Sequence, residues 1–268
     1  MHTDSYPTIG VLAALPAEAR ILTRTTGKMV QKSSTKGKII VRKSGIGMQY
    51  ARKQAEYLAG ISEVLVSFGI SGGLHPRLKT GDLVLADLVL IWDPELHGLP
   101  PTQVMPAGFR ADADINNYIA EKFQENIVHF HQGPILCSSK PILTAASKLN
   151  AHRLTGALAA DMESRAICEV AAEAGLPFFC LRAVCDPADQ TVADTLPEMV
   201  DKQGNPRIGH ILAHLVRRPW LLGDMIRMAS QFRQALVALE KAWLLVGEQF
   251  LSSADARQAI SPVRAGKR

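Results

Sequence analysis

The sequence predicts an α/β fold: one domain built on a central, twisted, mostly parallel sheet flanked by helices, with a helical C-terminal extension. Three observations carry that reading. Strand-like apolar runs alternate with helix-like amphipathic stretches over most of the chain. The run from Phe178 to Cys185, bounded by Pro177 and Pro187, is mostly apolar without alternation, as in a parallel strand buried on both faces. Glycine and proline punctuate the runs where turns are needed.

Ile9 to Ala14 reads as the first strand, and Pro16 suits the first turn of the next helix, where a missing N–H costs nothing. Glu18 lies in that turn. The lysine-rich segment from Lys28 to Lys43 encloses Ile39 to Lys43, a strand whose charged flanks suit a sheet edge better than a binding patch. Ser44-Gly45-Ile46-Gly47 turns into a helix from about Met48 to Ala59, stopped by Gly60. Val64 to Ser67 is a third strand, running into Gly69-Ile70-Ser71-Gly72-Gly73, a glycine loop that admits close ligand approach. Gly81-Asp82 opens a strand through about Ile91, and the proline-rich stretch from Trp92 to Gly108 reads as a long surface loop. A helix over Asp112 to Glu125 follows, then strands at Ile127 to Phe130 and Pro134 to Cys137. Ala157 to Ala160 leads into Asp161-Met162-Glu163 and a helix from Ser164 to Gly175. Two helices, near Ile208 to Val216 and Pro219 to Val246, complete the pattern. Residues 1–203 form the α/β domain, 204–250 its helical extension and 251–268 a flexible tail.

Composition narrows the classes. At 268 residues and 47% hydrophobic, the chain can fill one core, and no secretory leader or membrane-spanning run opens it, so a cytoplasmic protein is expected. A net charge of +5, gathered towards both ends, argues against a nucleic-acid partner. Cys137, Cys168, Cys180 and Cys185 have no metal-ligand spacing and read as reduced thiols in the core. His129 and His131 share one strand face, but no third ligand is obvious, and Asp93, Glu95 and His97 form no better set, so no metal is expected.

Asp186 stands where ligands bind in open α/β sheets, at the C-terminal end of a buried strand. A solvated turn aspartate is the competing reading. Glu18 and Glu163 have a bland reading too, since acids favour helix N-termini.

Several stretches, in order, resemble the nucleoside phosphorylase and nucleosidase superfamily, above all its methylthioadenosine/adenosylhomocysteine nucleosidase branch. They are Ile9 to Leu15 with Glu18, Ser44 to Gly47, Phe68 to Leu74 with Lys79 to Asp82, Pro106 to Asp112, Asp161 to Ser164, and Arg182 to Asp186. The resemblance implies cleavage of an N-glycosidic bond. Asp186 is then the acid that protonates the departing base, and Glu18 the base that deprotonates water. Glu163 and Met162 hold the ribose, the Ile142 backbone reads the adenine edge, and Gly69, Ile70, Gly72 and Cys185 complete the substrate site. No cofactor is implied beyond phosphate as an optional co-substrate. The hexameric phosphorylases carry a phosphate-binding arginine in the place of Glu18 and another in that of Ser67, so the glutamate favours hydrolysis. Ile70 and Cys185 replace serines of the nucleosidase pattern, and Pro141 replaces a base-stacking aromatic.

Beyond the common domain, Gly204 to Arg207 and Leu215 to Leu222 resemble the hopanoid-associated phosphorylase group. That implies adenosylhopane as substrate. The alternatives are a methylthioadenosine/adenosylhomocysteine nucleosidase, a purine nucleoside phosphorylase, or a nucleoside-binding module without turnover. The apolar and basic C-terminal helix suits packing on the domain or on a second copy, a dimer being expected, ahead of peripheral contact with the inner face of a membrane.

Overall fold

The computed structural model describes residues 7–32, 38–92, 108–192, 201, 203–205, 207, 221–252 and 260. Along them run β1 (Thr8–Ala13), α1 (Pro16–Lys32), β2 (Lys38–Lys43), α2 (Met48–Ala59), β3 (Val64–Gly73), β4 (Leu83–Trp92), β5 (Gly108–Arg110), α3 (Ala113–Glu125), β6 (Phe130–Ser138), α4 (Ala145–Thr155), β7 (Ala159–Asp161), α5 (Ser164–Ala174), β8 (Phe178–Asp186) and α6 (Leu221–Ser252). Residues 93–107 of the expected long loop, with the Asp93, Glu95 and His97 trio, lie outside the described residues. So do the helix expected near 208–216 and most of the 251–268 tail.

β2, β1, β3 and β8 lie side by side and parallel. β4 joins β8 antiparallel, β6 and β7 follow in parallel, and β7 returns antiparallel to β3 at Gly72 and Gly73. The strands β3, β8, β4, β6 and β7 therefore close into a ring. β1 and β2 extend from β3 as a wing, and β5 pairs beside the second half of β4. The sheet is mixed but mostly parallel. The edge position expected for the lysine-flanked strand is occupied by β2.

Alternation along the strands sorts side chains into two cores. Val64, Val66 and Phe68 of β3 and Phe179, Leu181 and Ala183 of β8 pack with α1, α3 and α6. Leu65 of β3 and Phe178, Cys180 and Val184 of β8 pack with α2 and α5. Burial on both faces is what the unbroken apolar run of β8 predicts. All four cysteines are free and buried.

The second half of α6 is part of the first core. Its Trp243 is fully buried and meets Phe68 edge-on at 5.3 Å, while Phe250 packs on Phe179 at 5.6 Å. Truncating such an aromatic costs about 3–5 kcal/mol, so the helix is structural rather than appended. Leu251 and Ile260, both within the expected tail, are buried in the same cluster. The start of α6 differs: Leu222 and Ile226 are exposed. No described helix is long and apolar enough to cross a membrane.

Three local expectations need correction. Gly69 to Gly73 is not a loop but the second half of β3, paired with Arg182, Ala183, Val184 and Asp186. Of the strand expected at 127–130 only Phe130 is strand, residues 127–129 being turn and connection, and it joins the strand expected at 134–137 in β6. Its Gly133-Pro134 reads as a break, yet Pro134 falls where the β4 pairing shifts register between Ala86 and Val89, so its missing N–H costs no regular ladder bond. Finally, α4 has no counterpart in the sequence reading. Its inward face offers Lys148 and Ala151 rather than an apolar stripe, although Thr144 caps it through the Ser147 N–H and Gly156 ends it in the left-handed region (φ 70°).

Candidate active site

The parallel strands β1, β3 and β8 bring their C-terminal ends to one edge, and the candidate acids gather there. Glu18, in the first turn of α1, turns its carboxylate back towards β3. It accepts the Leu15 N–H at 2.8 Å and the Ile70 N–H at 2.9 Å, and is only 2% exposed. Burial raises its pKa, and those two amides and the Arg182 charge only partly oppose the rise.

Gly69 explains how so buried a carboxylate fits. A Cβ added there would lie 2.7 Å from Glu18 Oε1 and 3.0 Å from Cδ, so the bare backbone is what lets the acid lie against the strand. Gly69→Ala is expected to displace Glu18 and lower kcat by about a hundredfold, at a stability cost of about 1–3 kcal/mol. Steady-state kinetics beside a melting curve check it, and unchanged kcat would show that the carboxylate position does not matter.

Glu163, at the start of α5, is half-buried and accepts the Gly47 N–H at 2.9 Å, so the glycine turn after β2 serves to hold it. Burial, and next the neighbouring charge of Asp161, push its pKa up to about 7. Met162 beside it is half-buried.

Behind these two acids lies an ion pair. Arg182 sits mid-β8 at 3% exposure, its Nε 2.7 Å and its nearest terminal nitrogen 2.6 Å from Asp161 Oδ2, and it also donates to Ser67 Oγ at 2.6 Å. Asp161 Oδ1 in turn accepts the Ser164 hydroxyl at 2.7 Å. Breaking a buried pair of this kind costs about 3–5 kcal/mol, because the surviving charge is left unpaired. Glu18, Glu163, Ser67 and Arg182, with Leu12, Phe68, Ile70 and Ile167, line one small pocket.

Asp186 closes the far end of β8. The pairing with β3 steps from Ser71 opposite Val184 to Gly72 opposite Asp186, so Cys185 is bulged out of register and the acid faces a glycine. A Cβ on Gly72 would lie 3.3 Å from Asp186 Oδ2. Lys148 of α4, fully buried, binds that oxygen at 2.5 Å, Pro187 O at 3.0 Å and Gln190 O at 2.9 Å. Burial raises the Asp186 pKa despite this cation. The Cys185 thiol is pushed up to about 12, by burial and then by the charge of Asp186, and is no nucleophile.

Ile142 is half-buried and packs on a third cluster around Leu74, Leu136 and Ala151, in the segment leading into α4. The sequence reading assigned no role to Lys148, and quoted Arg182 and Asp161 only within motifs. A lysine sharing the Ala151 face of a capped helix was the one available signal for Lys148.

Carboxyl groups gathered at the C-terminal edge of an α/β sheet, with Glu18 and Glu163 lining one pocket, have the make-up expected where an enzyme acts on a small molecule. Residues 8–217 match the family model of the phosphorylase superfamily, and the chain belongs to that family. Over 213 residues it is 25% identical to a 5'-methylthioadenosine/S-adenosylhomocysteine nucleosidase of Haemophilus influenzae (strain PittEE), covering 72% of this chain and 91% of that one. Among solved structures it resembles the S-adenosylhomocysteine nucleosidase of Streptococcus pyogenes in complex with 5-methylthiotubericidin, at 17% identity and a TM-score of 0.67, over 93% of this chain and 99% of that chain. It also resembles the futalosine hydrolase of Helicobacter pylori strain 26695, at 15% identity and a TM-score of 0.64, over 90% and 97% of the two chains. At such identities the likeness to both structures is one of fold.

Proposed function

We propose that this chain cleaves the N-glycosidic bond of an adenosyl compound, with adenosylhopane as substrate and water as nucleophile. The observation that carries the reading is the convergence of Glu18, Glu163 and Asp186 on one sheet edge, each carboxyl buried enough to hold a raised pKa. Such a reaction passes through a ribosyl cation. It needs a proton for the departing base, a grip on the sugar and a positioned nucleophile. Asp186, protonated, gives its proton to adenine as the bond to the anomeric carbon breaks. Glu163 accepts hydrogen bonds from the ribose hydroxyls and sets its charge against the developing cation, while Met162 lies against the sugar. Glu18 takes the proton of the water that attacks the same carbon. Adenine and the free sugar compound leave, and both carboxyls return to their starting states by exchange with solvent.

Water rather than phosphate is supported by the charges. Arg182 is engaged by Asp161 and Ser67, and Glu18 and Glu163 share the pocket with it, so an entering phosphate would meet two carboxylates before any free cation. For adenosylhopane the support is the resemblance of the C-terminal segment, together with the exposed Leu222 and Ile226 at the start of α6, which suit contact with an apolar substrate or the membrane that holds it. A homodimer in the cytoplasm, peripheral to the inner membrane face, is the matching setting. The Haemophilus relative favours methylthioadenosine/S-adenosylhomocysteine nucleosidase as the second reading. Adenine release from adenosylhopane and adenosylhomocysteine, each with and without phosphate, tests all of this. Release from adenosylhopane without phosphate is expected. Preference for adenosylhomocysteine would move the assignment to the second reading, phosphate dependence would overturn the nucleophile, and no release from either would sink the enzyme.

A further inference from the structure

The pairing of β4 with β6 produces a cluster that the sequence did not disclose. His131 is the second residue of β6 and His129 lies just before the strand, while Asp82 immediately precedes β4, where Leu83 pairs with Phe130 and Val84 with His131. Asp82 is the third ligand missing from the sequence reading. One ligand atom from each of the three lies within 4.8 Å of the others. Asp82 Oδ2 and His131 Nε2 are 3.5 Å apart, close to the roughly 3.4 Å edge of a tetrahedron with bonds of about 2.1 Å. His131 Nε2 is buried and makes no hydrogen bond. Asp82 Oδ2 also accepts the Lys79 N–H at 2.8 Å, an outer contact that fixes the oxygen's direction. His129 is exposed, its ring 4.9 Å from that of His131.

A turn-capping aspartate beside a histidine accounts for the Asp82 contact to Lys79. It accounts neither for the buried, unsatisfied nitrogen nor for the second imidazole.

We propose that Asp82, His129 and His131 bind a divalent transition-metal ion of the zinc type, with the fourth position open to water. Two imidazoles and one carboxylate suit zinc, nickel or cobalt rather than magnesium or calcium, which take oxygen ligands. None of the three residues lines the Glu18 pocket. The ion's effect is structural: it ties the start of β4 to the start of β6. The same turn is bonded to β8, since Thr80 Oγ1 donates to Cys185 O at 2.9 Å and Val184 N to Asp82 O at 2.9 Å. The clamp therefore steadies the strand end that carries Asp186.

The test uses the full, tag-free chain after chelator treatment, titrated with Zn²⁺ in a calorimeter and with Co²⁺ by visible absorption. One equivalent is expected, with the intense ligand-field bands of four-coordinate cobalt and a raised melting temperature. His129→Ala, an exposed change that empties no core, and His131→Ala are each expected to abolish the bands and the melting shift. His75→Ala and His152→Ala, altering a neighbouring ring pair 4.7 Å apart, are expected to keep both. Failure to take up one equivalent, or uptake unchanged in His129→Ala, overturns the proposal.

Discussion

Asp186→Asn is expected to lower kcat by about a hundred- to ten-thousandfold, while a non-cleavable adenosine analogue still binds nearly as before. The side chain changes little in shape, and an amide oxygen can still accept the Lys148 hydrogen bond. Lys148 also keeps the Pro187 and Gln190 carbonyls, so the buried cation is not stranded and the loop after β8 holds. What is lost is the transferable proton. Burial raises the Asp186 pKa, so the acid form survives to higher pH than in a solvated aspartate, and activity falls as pH rises through that raised value. The asparagine enzyme should lack this alkaline limb. Single-turnover kinetics paired with analogue binding decide the matter, and near-normal turnover would remove Asp186 from the role of acid.

Glu18→Gln should cost a comparable factor, about a hundred- to ten-thousandfold in kcat. The carboxylate uses both oxygens, one for Leu15 N–H and one for Ile70 N–H, whereas glutamine has a single oxygen and must turn an NH₂ towards one of those donors. Base strength and orientation go together. The pH profile carries a second signature. Glu18 and Glu163 both work ionised and both have raised pKa values, so kcat/KM of the wild-type enzyme declines as pH falls, starting near pH 7 where Glu163 takes its proton. In Glu18→Gln only the Glu163 part of that acid limb should remain. An unchanged rate, or a profile identical to wild type, would leave the attacking water without its base.

The fold was readable where local chemistry and tertiary demand agreed. The two-faced burial of β8 follows from an apolar run with no alternation, and the β2 edge from its lysine flanks. It was unreadable where one overrode the other. Gly69 to Gly73 has turn composition but is held as strand by pairing to β8, and Gly69 and Gly72 leave room for the acids that press against them. Gly133-Pro134 looks like a break but falls at a register shift. In the site, Asp186 stands out because it ends a strong strand, whereas Glu18 and Glu163 were singled out by the motifs they share with the family. Lys148 escaped notice because its helix buries a cation rather than an apolar stripe. Asp82 escaped as a partner of two histidines because only strand pairing, never spacing, brings residues 82 and 131 together.

The ring of β3, β8, β4, β6 and β7 makes Asp186 and Glu18, the proposed acid and base, unequal in their freedom to move. Asp186 ends a strand bonded along both edges, so shifting it requires the ring itself to open, a cooperative and rare event. Glu18 rides on a helix outside the ring, and its aim depends on two amide N–H groups, one of them in the short connection between β1 and α1. Local opening therefore reaches the base long before it reaches the acid. On the proposed roles, activating water is the half of the reaction that thermal fluctuation can switch off without unfolding the enzyme.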